Sequence, residues 1–406
     1  MTTSCRWPVA AGLAWALIAG AVSAQPVEPP GAPVKAADVL VWTQAQRAAR
    51  FPHMERLLPH ETVRAGGKVH ALPAGRPLAL TLMRDGAAQS LDAYMQGDRT
   101  AGLLVLQDGK VRLERYGPAL TVKDHWASFS VTKSVTSLLF AAAIRDGFIK
   151  SLDDTVPTYL PEMQGSAYDG VTIRDLLTMS SGVRWSEDYT DPRSDVARMY
   201  ATPADSGLDP IVSYMRKLPR AYAPGTHWAY KTGETDLAGI LLVRATHRSL
   251  ARYLSEKIWR PYGMALPAVW MIDGSHHSPG GCCLSASLRD LGRLGQFVLE
   301  GAKVGGVSIA PPGWLADATT AHLPTGRPGM GYGYFWWVNG DGTYDAHGIF
   351  GQGIHIDPRR RLVVVMLAAW PAATDPALSK DRARLLEAIA AAVDGGIRRS
   401  DGSAPD

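Results

Sequence analysis

Ser130 and Lys133 form the only Ser-x-x-Lys in this 406-residue chain, inside "SFSVTKSVTSLLFAAAIRDGF". On a helix, positions three apart share a face, so the lysine amine can reach the serine hydroxyl. If the stretch opens a helix near Ser130, the free backbone N–H groups of the first turn also favour a developing oxyanion. A serine hydroxyl becomes a nucleophile when a base takes its proton, and a neutral lysine can be that base. Bringing a lysine from about 10.4 to near 7 requires roughly 4 to 5 kcal/mol of differential destabilisation of its charged form, which burial against apolar helix can supply. The tetrapeptide alone also fits a helix N-cap followed by a solvated lysine.

The elements around this pair set the fold class. "GLLVLQDGKVRLERYG" has two alternating apolar runs about Asp108 and Gly109, which predicts an antiparallel hairpin from about Gly102 to Tyr116. From Thr172 to about Leu299 the periodic stretches, among them "TIRDLLTMS", "ETDLAGILLVRATH" and "SLRDLGRLGQFVLEG", are helical. Strands return in "GYGYFWWVNG" and "GIHIDPRRRLVVVMLA", and a last helix runs from about Pro376 to Val393. Strands at both ends around a helical middle predict an α+β protein. Its antiparallel sheet, flanked by helices, comes from residues 25–149 and 300–406, with an all-helical lobe from 150–299 inserted. A small-molecule site is expected in the cleft between them.

The N-terminus bears on compartment. Arg6, the apolar run Val9 to Val22 and the small residues up to Ala24 read as a secretory signal peptide, residues 1–24, cut after Ala24. The mature protein is expected to be periplasmic or secreted, with no stable membrane insertion. Basic and acidic residues number 42 and 38 with no long basic run, which gives no electrostatic case for nucleic acid. Beyond the leader only Cys282 and Cys283 remain. Adjacent Cα atoms are about 3.8 Å apart, under the usual disulfide range of roughly 4.4 to 6.8 Å, so the pair is expected as two buried thiols, with a vicinal disulfide as the other reading. There is no Gly-x-Ser-x-Gly elbow, no metalloprotease helix motif, no phosphate loop and no metal-ligand array, and no cofactor is implied.

In order along the chain, "SFSVTKSVTSLL", "IKSLDDTVPTYLP", "VTIRDLLTMSSGV" and "PGTHWAYKTGETDLAGILL" resemble the class C β-lactamase-related serine hydrolases. That family includes penicillin-binding peptidases, family VIII esterases and 6-aminohexanoate-dimer hydrolases. The resemblance extends from about Leu103 to the final helix and implies a β-lactamase/transpeptidase-like fold. It also implies that Tyr230, after Pro224 and Gly225, is the tyrosine that shares proton transfer with Lys133. Thr232 stands where the family carries an amide or serine. Lys231, Thr232 and Gly233 spell a second family signature, but they open a helix, whereas that signature belongs on a strand near the C-terminus. The matching position is "DAHGIFGQGIHID".

There His347, Gly348 and Ile349 take its place, without the cation that holds a β-lactam carboxylate. The resemblance then implies an oxyanion hole from the backbone N–H groups of Ser130 and Ile349, with His347 and Gly348 beside the substrate; His347 can equally be a strand-end histidine. By analogy with the amide-hydrolysing relatives, Tyr189 in "RWSEDYTDPRSD" is expected to donate to a leaving amine. The function expected is a serine hydrolase acting through a Ser130 acyl-enzyme on a small-molecule ester or amide. A β-lactamase or D-alanyl-D-alanine carboxypeptidase is the alternative, and a non-catalytic binding module the third reading. Oligomeric state is not readable from the sequence.

Overall fold

Alternation of apolar side chains organises the main sheet. In the strand Leu362–Ala368 the residues Val363 and Val365 face one core while Leu362, Val364 and Met366 face another. Thr100–Gln107, which pairs with it antiparallel, does the same with Leu104 and Leu106 against Leu103 and Val105. A strand buried on both faces must carry apolar residues at every position, which is how these two read. A computed structural model of the protein describes residues 34, 36–84 and 86–400. The proposed signal peptide lies outside the described residues. Among those described, no helix is long and apolar enough to cross a membrane.

The sheet has seven strands, in the order Met330–Tyr332, Trp337–Asn339, Tyr344–Gly348, Gln352–Asp357, Leu362–Ala368, Thr100–Gln107 and Lys110–Tyr116, and every neighbouring pair is antiparallel. The hairpin about Asp108 and Gly109 lies as the sequence indicates. "GYGYFWWVNG" folds as two strands rather than a single run, because the chain reverses at Gly333–Trp336 with Phe335 at φ 60°. One face of the sheet is covered by Pro376–Ser400, through Leu385, Ile389 and Val393. The other carries Leu288–Leu299, whose Gly292 admits the sheet closely: a Cβ there would stand 2.5 Å from Leu104 Cδ2.

Above that second face lie the helices Val131–Arg145 and Thr232–Thr246, packed on each other, with the first also on the strand Tyr344–Gly348. The span 150–299 is mostly helical but also gives two strands, Ala268–Met271 and Leu284–Ala286. They join His60–Val63 and Trp126–Ala127 in a four-stranded sheet. Its pairing is long-range and its strands are two to four residues long, below what periodicity can reveal. Its consequence is local, since it seats the residues just before Ser130 beside those just after the cysteine pair.

Asp290 anchors the Leu288–Leu299 helix to this framework. Fully buried, it accepts from Ala265 N at 2.7 Å, Leu266 N at 3.0 Å, Ser287 Oγ at 2.8 Å and the buried Arg293 Nη1 at 2.9 Å. Asp290→Ala strands these donors and leaves Arg293 an unpaired buried cation, so a loss of about 3 to 5 kcal/mol is expected. Urea titration of the variant against wild type measures it, and a loss below about 1 kcal/mol would show that the network is not coupled to global stability.

Candidate active site

Three constraints place Ser130. Ser128 follows the edge strand Trp126–Ala127 and is tied to Leu284, its N–H donating to the carbonyl at 2.9 Å and its hydroxyl at 2.7 Å. Phe129 then takes φ 48°, a left-handed conformation unfavourable for a side chain of this size. Its ring is held between Phe51 and Phe350, with centroids 5.0 and 5.3 Å away. Such local strain persists only where the surroundings enforce it, and it is commonly met at functional sites. The turn delivers Ser130 to the N-cap of the Val131–Arg145 helix, where its side chain makes no capping bond.

Lys133 is buried on the same face. Its Nζ lies 3.3 Å from Ser130 Oγ, 3.1 Å from Thr232 Oγ1 and 2.8 Å from the Gly281 carbonyl oxygen. Burial pushes the amine down to about 8, although the nearby carboxylates of Glu187 and Asp236 pull the other way. Relative to a free lysine that displacement is worth roughly 3 kcal/mol against the charged form. Asp236 is itself pushed up to about 6 by burial, with Lys133, the Tyr200 hydroxyl and the Gly281 N–H opposing.

Tyr230 sits immediately before the Thr232–Thr246 helix, its ring stacked on Trp337 at 5.6 Å and set edge-on to Tyr332 at 6.1 Å. Lys133 Nζ stands 5.2 Å from its ring centre. Burial, together with the Glu187 charge, raises the phenol well above its ordinary value, partly opposed by its hydrogen bond with Ser130. At neutral pH Tyr230 therefore carries its proton.

The serine opens onto a cavity of about 490 Å³ lined by Val39, Leu40, Met54, Phe129, Met271 and Ile349 among others. Ser130, Tyr189, Thr232 and Ile349 reach this space from four different segments. His347 and Gly348 lie off it, on the strand Tyr344–Gly348. His347 Nε2 is 3.6 Å from Asp345 Oδ2, its ring stacks on Trp337, and burial lowers its pKa. Gly348 abuts the Ser128 carbonyl, so the residue after it is brought up to the serine corner. Lys231 is deep in the core with its amine 3.5 Å from Glu234 Oε1, whereas Thr232 beside it touches Lys133.

The cysteine expectation is corrected. Cys282 and Cys283 form a disulfide, and both are half-buried in the cavity wall. The ring between adjacent residues closes because the backbone turns there, with Cys283 at φ 78°. The turn is pinned by Trp270 Nε1 donating to the Cys282 carbonyl at 3.0 Å and Met271 N to that of Cys283 at 3.1 Å. Sequence reasoning also missed Glu187. Its carboxylate accepts from Thr232 N at 2.9 Å, from the Thr232 hydroxyl, from Trp185 Nε1 and from the Tyr189 hydroxyl at 2.5 Å. A carboxylate in an acidic loop carries no local signal that it folds back onto a helix N-terminus.

A helix-borne serine beside a buried lysine and an undissociated tyrosine, opening on an apolar cavity, defines an active-serine hydrolase of the penicillin-recognising fold. The chain belongs to the Beta-lactamase family, whose model matches residues 87–389. It is 27% identical over 366 residues to a 6-aminohexanoate-dimer hydrolase of Paenarthrobacter ureafaciens, a match covering 85% of this chain and 91% of that protein. Among solved structures, a Bacillus anthracis protein provisionally named a 6-aminohexanoate-dimer hydrolase superposes with a TM-score of 0.73 at 21% identity, over 88% of this chain and 94% of that one. A penicillin-binding protein homologue from Caulobacter crescentus does so with 0.57 at 18% identity, over 72% and 92%. The protein is accordingly a serine hydrolase, with an α+β fold of antiparallel sheets flanked by helices.

Proposed function

We propose that the protein is an exported hydrolase of carboxylic esters or small linear amides that works through a Ser130 acyl-enzyme. The observation that carries this reading is the Lys133 amine, buried and poised near neutrality 3.3 Å from Ser130 Oγ. In the neutral form Lys133 takes the hydroxyl proton as Ser130 Oγ bonds to the substrate carbonyl carbon. The backbone N–H groups of Ser130 and Ile349 receive the oxyanion. Collapse expels the alcohol or amine, which takes its proton from the Lys133 and Tyr230 pair. Water then attacks the acyl-enzyme by the reverse path. Between the two proton carriers, Lys133 is the base, because Tyr230 holds its proton far above neutral pH.

Cavity chemistry supports neutral acyl groups. Among the described residues its ionisable lining consists of Tyr189, Asp191, Tyr200 and Asp273, with no Lys, Arg or His. A β-lactam or a D-alanyl-D-alanine peptide brings a carboxylate that this lining would repel, which sets those substrates second. Linear ω-amino acid oligomers, the substrate class in the name of one relative, carry an acyl-end ammonium that Asp191 and Asp273 would attract but also a terminal carboxylate, so they rank behind neutral esters and amides on the same ground. Export is supported by the N-terminal Arg6, apolar run and Ala24 pattern.

The test is rapid mixing of the mature protein with a p-nitrophenyl ester, following the release burst and the intact mass. A burst with one added acyl mass in wild type, absent from Ser130→Ala, is expected. Equal behaviour of the two proteins would overturn the assignment of Ser130.

A further inference from the structure

The loop "RWSEDYTDP" supplies more than Tyr189. Glu187, between Trp185 and Tyr189, receives four donors, three of them from residues that line the cavity: the N–H of Thr232 at 2.9 Å, the hydroxyl of Thr232 and the phenol of Tyr189 at 2.5 Å, with the indole of Trp185 as the fourth. Thr232 Oγ1 in turn stands 3.1 Å from Lys133 Nζ. One hydroxyl thus bridges the amine and the carboxylate. The direction of the bridge is fixed, since an ionised carboxylate only accepts, so the Thr232 hydroxyl donates to Glu187 and offers its lone pair to Lys133.

We propose that Glu187 is the positioning residue of the site, holding Lys133 through Thr232 and holding Tyr189 directly, so that one carboxylate sets both the base and a phenol whose oxygen is left to accept from the N–H of an amide substrate. This rests on the reading of Ser130, Lys133 and Tyr230 given above. The single phenolic hydrogen of Tyr189 is committed to Glu187, so the expectation that Tyr189 donates to a leaving amine is corrected: its oxygen is left to accept. Tyr189 borders the cavity beside Thr232, so its phenol is oriented by the Glu187 oxygen it donates to. Charge-assisted bonds of this type are short and directional, which suits holding a phenol in place.

Lys133 also feels the charge. The ionisable groups around it are Glu187 from the loop, Asp236 and Tyr230 from the segment that opens and forms the Thr232–Thr246 helix, and Tyr200 and Tyr189 behind these two carboxylates. Both carboxylates favour the ammonium form, while burial favours the amine. Removing the Glu187 charge leaves burial less opposed, so the lysine loses its proton at lower pH. The neutral amine is the working form, and the acidic limb of kcat/KM must then move down.

The experiment compares wild type, Glu187→Gln and Thr232→Val on a p-nitrophenyl ester and on an anilide or linear amide of the same acid, from pH 5 to pH 10. Glu187→Gln is expected to shift the acidic limb down by about one pH unit. It is also expected to lose about tenfold more rate on the amide than on the ester, since only an amide carries an N–H for the Tyr189 oxygen that Glu187 holds in place. Thr232→Val keeps the carboxylate and cuts the bridge, and it moves the limb in the same direction. An unmoved limb and an unchanged ester-to-amide ratio in a Glu187→Gln protein with wild-type melting temperature would overturn the proposal. If Glu187→Gln does not fold, the Thr232→Val limb decides it: unmoved, the bridge has no role. Ser130→Ala, run alongside, separates the two levels. Turnover surviving in that variant means the serine reading fails, whereas turnover lost there with the Glu187→Gln profile unmoved means only the Glu187 proposal fails.

Discussion

Lys133→Met is expected to lower kcat/KM on a neutral ester by about a thousandfold or more and to erase the ionisation expected near pH 8 in wild type. The amine is displaced downward to about 8 by burial. Below that value lysine is the ammonium ion and has no lone pair for the Ser130 proton. Wild-type kcat/KM should then rise about tenfold per pH unit up to about 8 and level off above it. Methionine has similar length and suits the apolar surroundings, but it leaves the Gly281 carbonyl and the Thr232 hydroxyl without their shared donor. Some loss of stability, about 1 to 3 kcal/mol, accompanies the change. A melting curve shows whether the protein is folded at the assay temperature. A folded Lys133→Met protein within tenfold of wild type would remove Lys133 from the mechanism and make a phenolate at Tyr230 the base to test.

The second large effect concerns a glycine. A Cβ on Gly348 would stand 2.4 Å from the Ser128 carbonyl oxygen and 3.2 Å from Phe129 Cβ. The first of these is backbone and cannot rotate aside, so Gly348→Ala must push the end of the strand Tyr344–Gly348 away from the serine corner. Ile349 moves with it. If the Ile349 N–H completes the oxyanion hole, kcat should fall by about a hundredfold to a thousandfold, with KM changing much less because the cavity is lined mainly by other segments. Steady-state kinetics on a neutral ester separates the two constants. A kcat within threefold of wild type would show that the oxyanion is held elsewhere.

What the sequence disclosed follows the range over which each signal acts. Ser130 and Lys133 announce themselves because three residues on a helix suffice to place one beside the other, and the structure sets them 3.3 Å apart. Tyr230 needed the family wording around Pro224 and Gly225, since a lone tyrosine before a helix has many uses. The seven-stranded sheet was legible at its hairpin and in the doubly apolar Leu362–Ala368. The four-stranded sheet was not, because strands of two to four residues show no period. Glu187 was hidden for the same reason: its partner Thr232 lies 45 positions away, and nothing in either segment encodes the meeting. The Cys282 and Cys283 expectation went astray by applying the span of ordinary disulfides to neighbours, whose ring depends on a local turn instead. Lys231 shows the reverse case, a familiar spelling whose lysine sits in the core while its threonine serves the site.

The main sheet has one further consequence, for the birth of the protein. Its central pairing joins Thr100–Gln107 to Leu362–Ala368, strands from opposite ends of the chain. Until the second of these has left the ribosome, the first has only its hairpin mate Lys110–Tyr116 to pair with, and the serine helix has no sheet beneath it. Contacts so distant in sequence form slowly and late. A nascent chain of this topology cannot complete its main sheet until almost all of it has been synthesised.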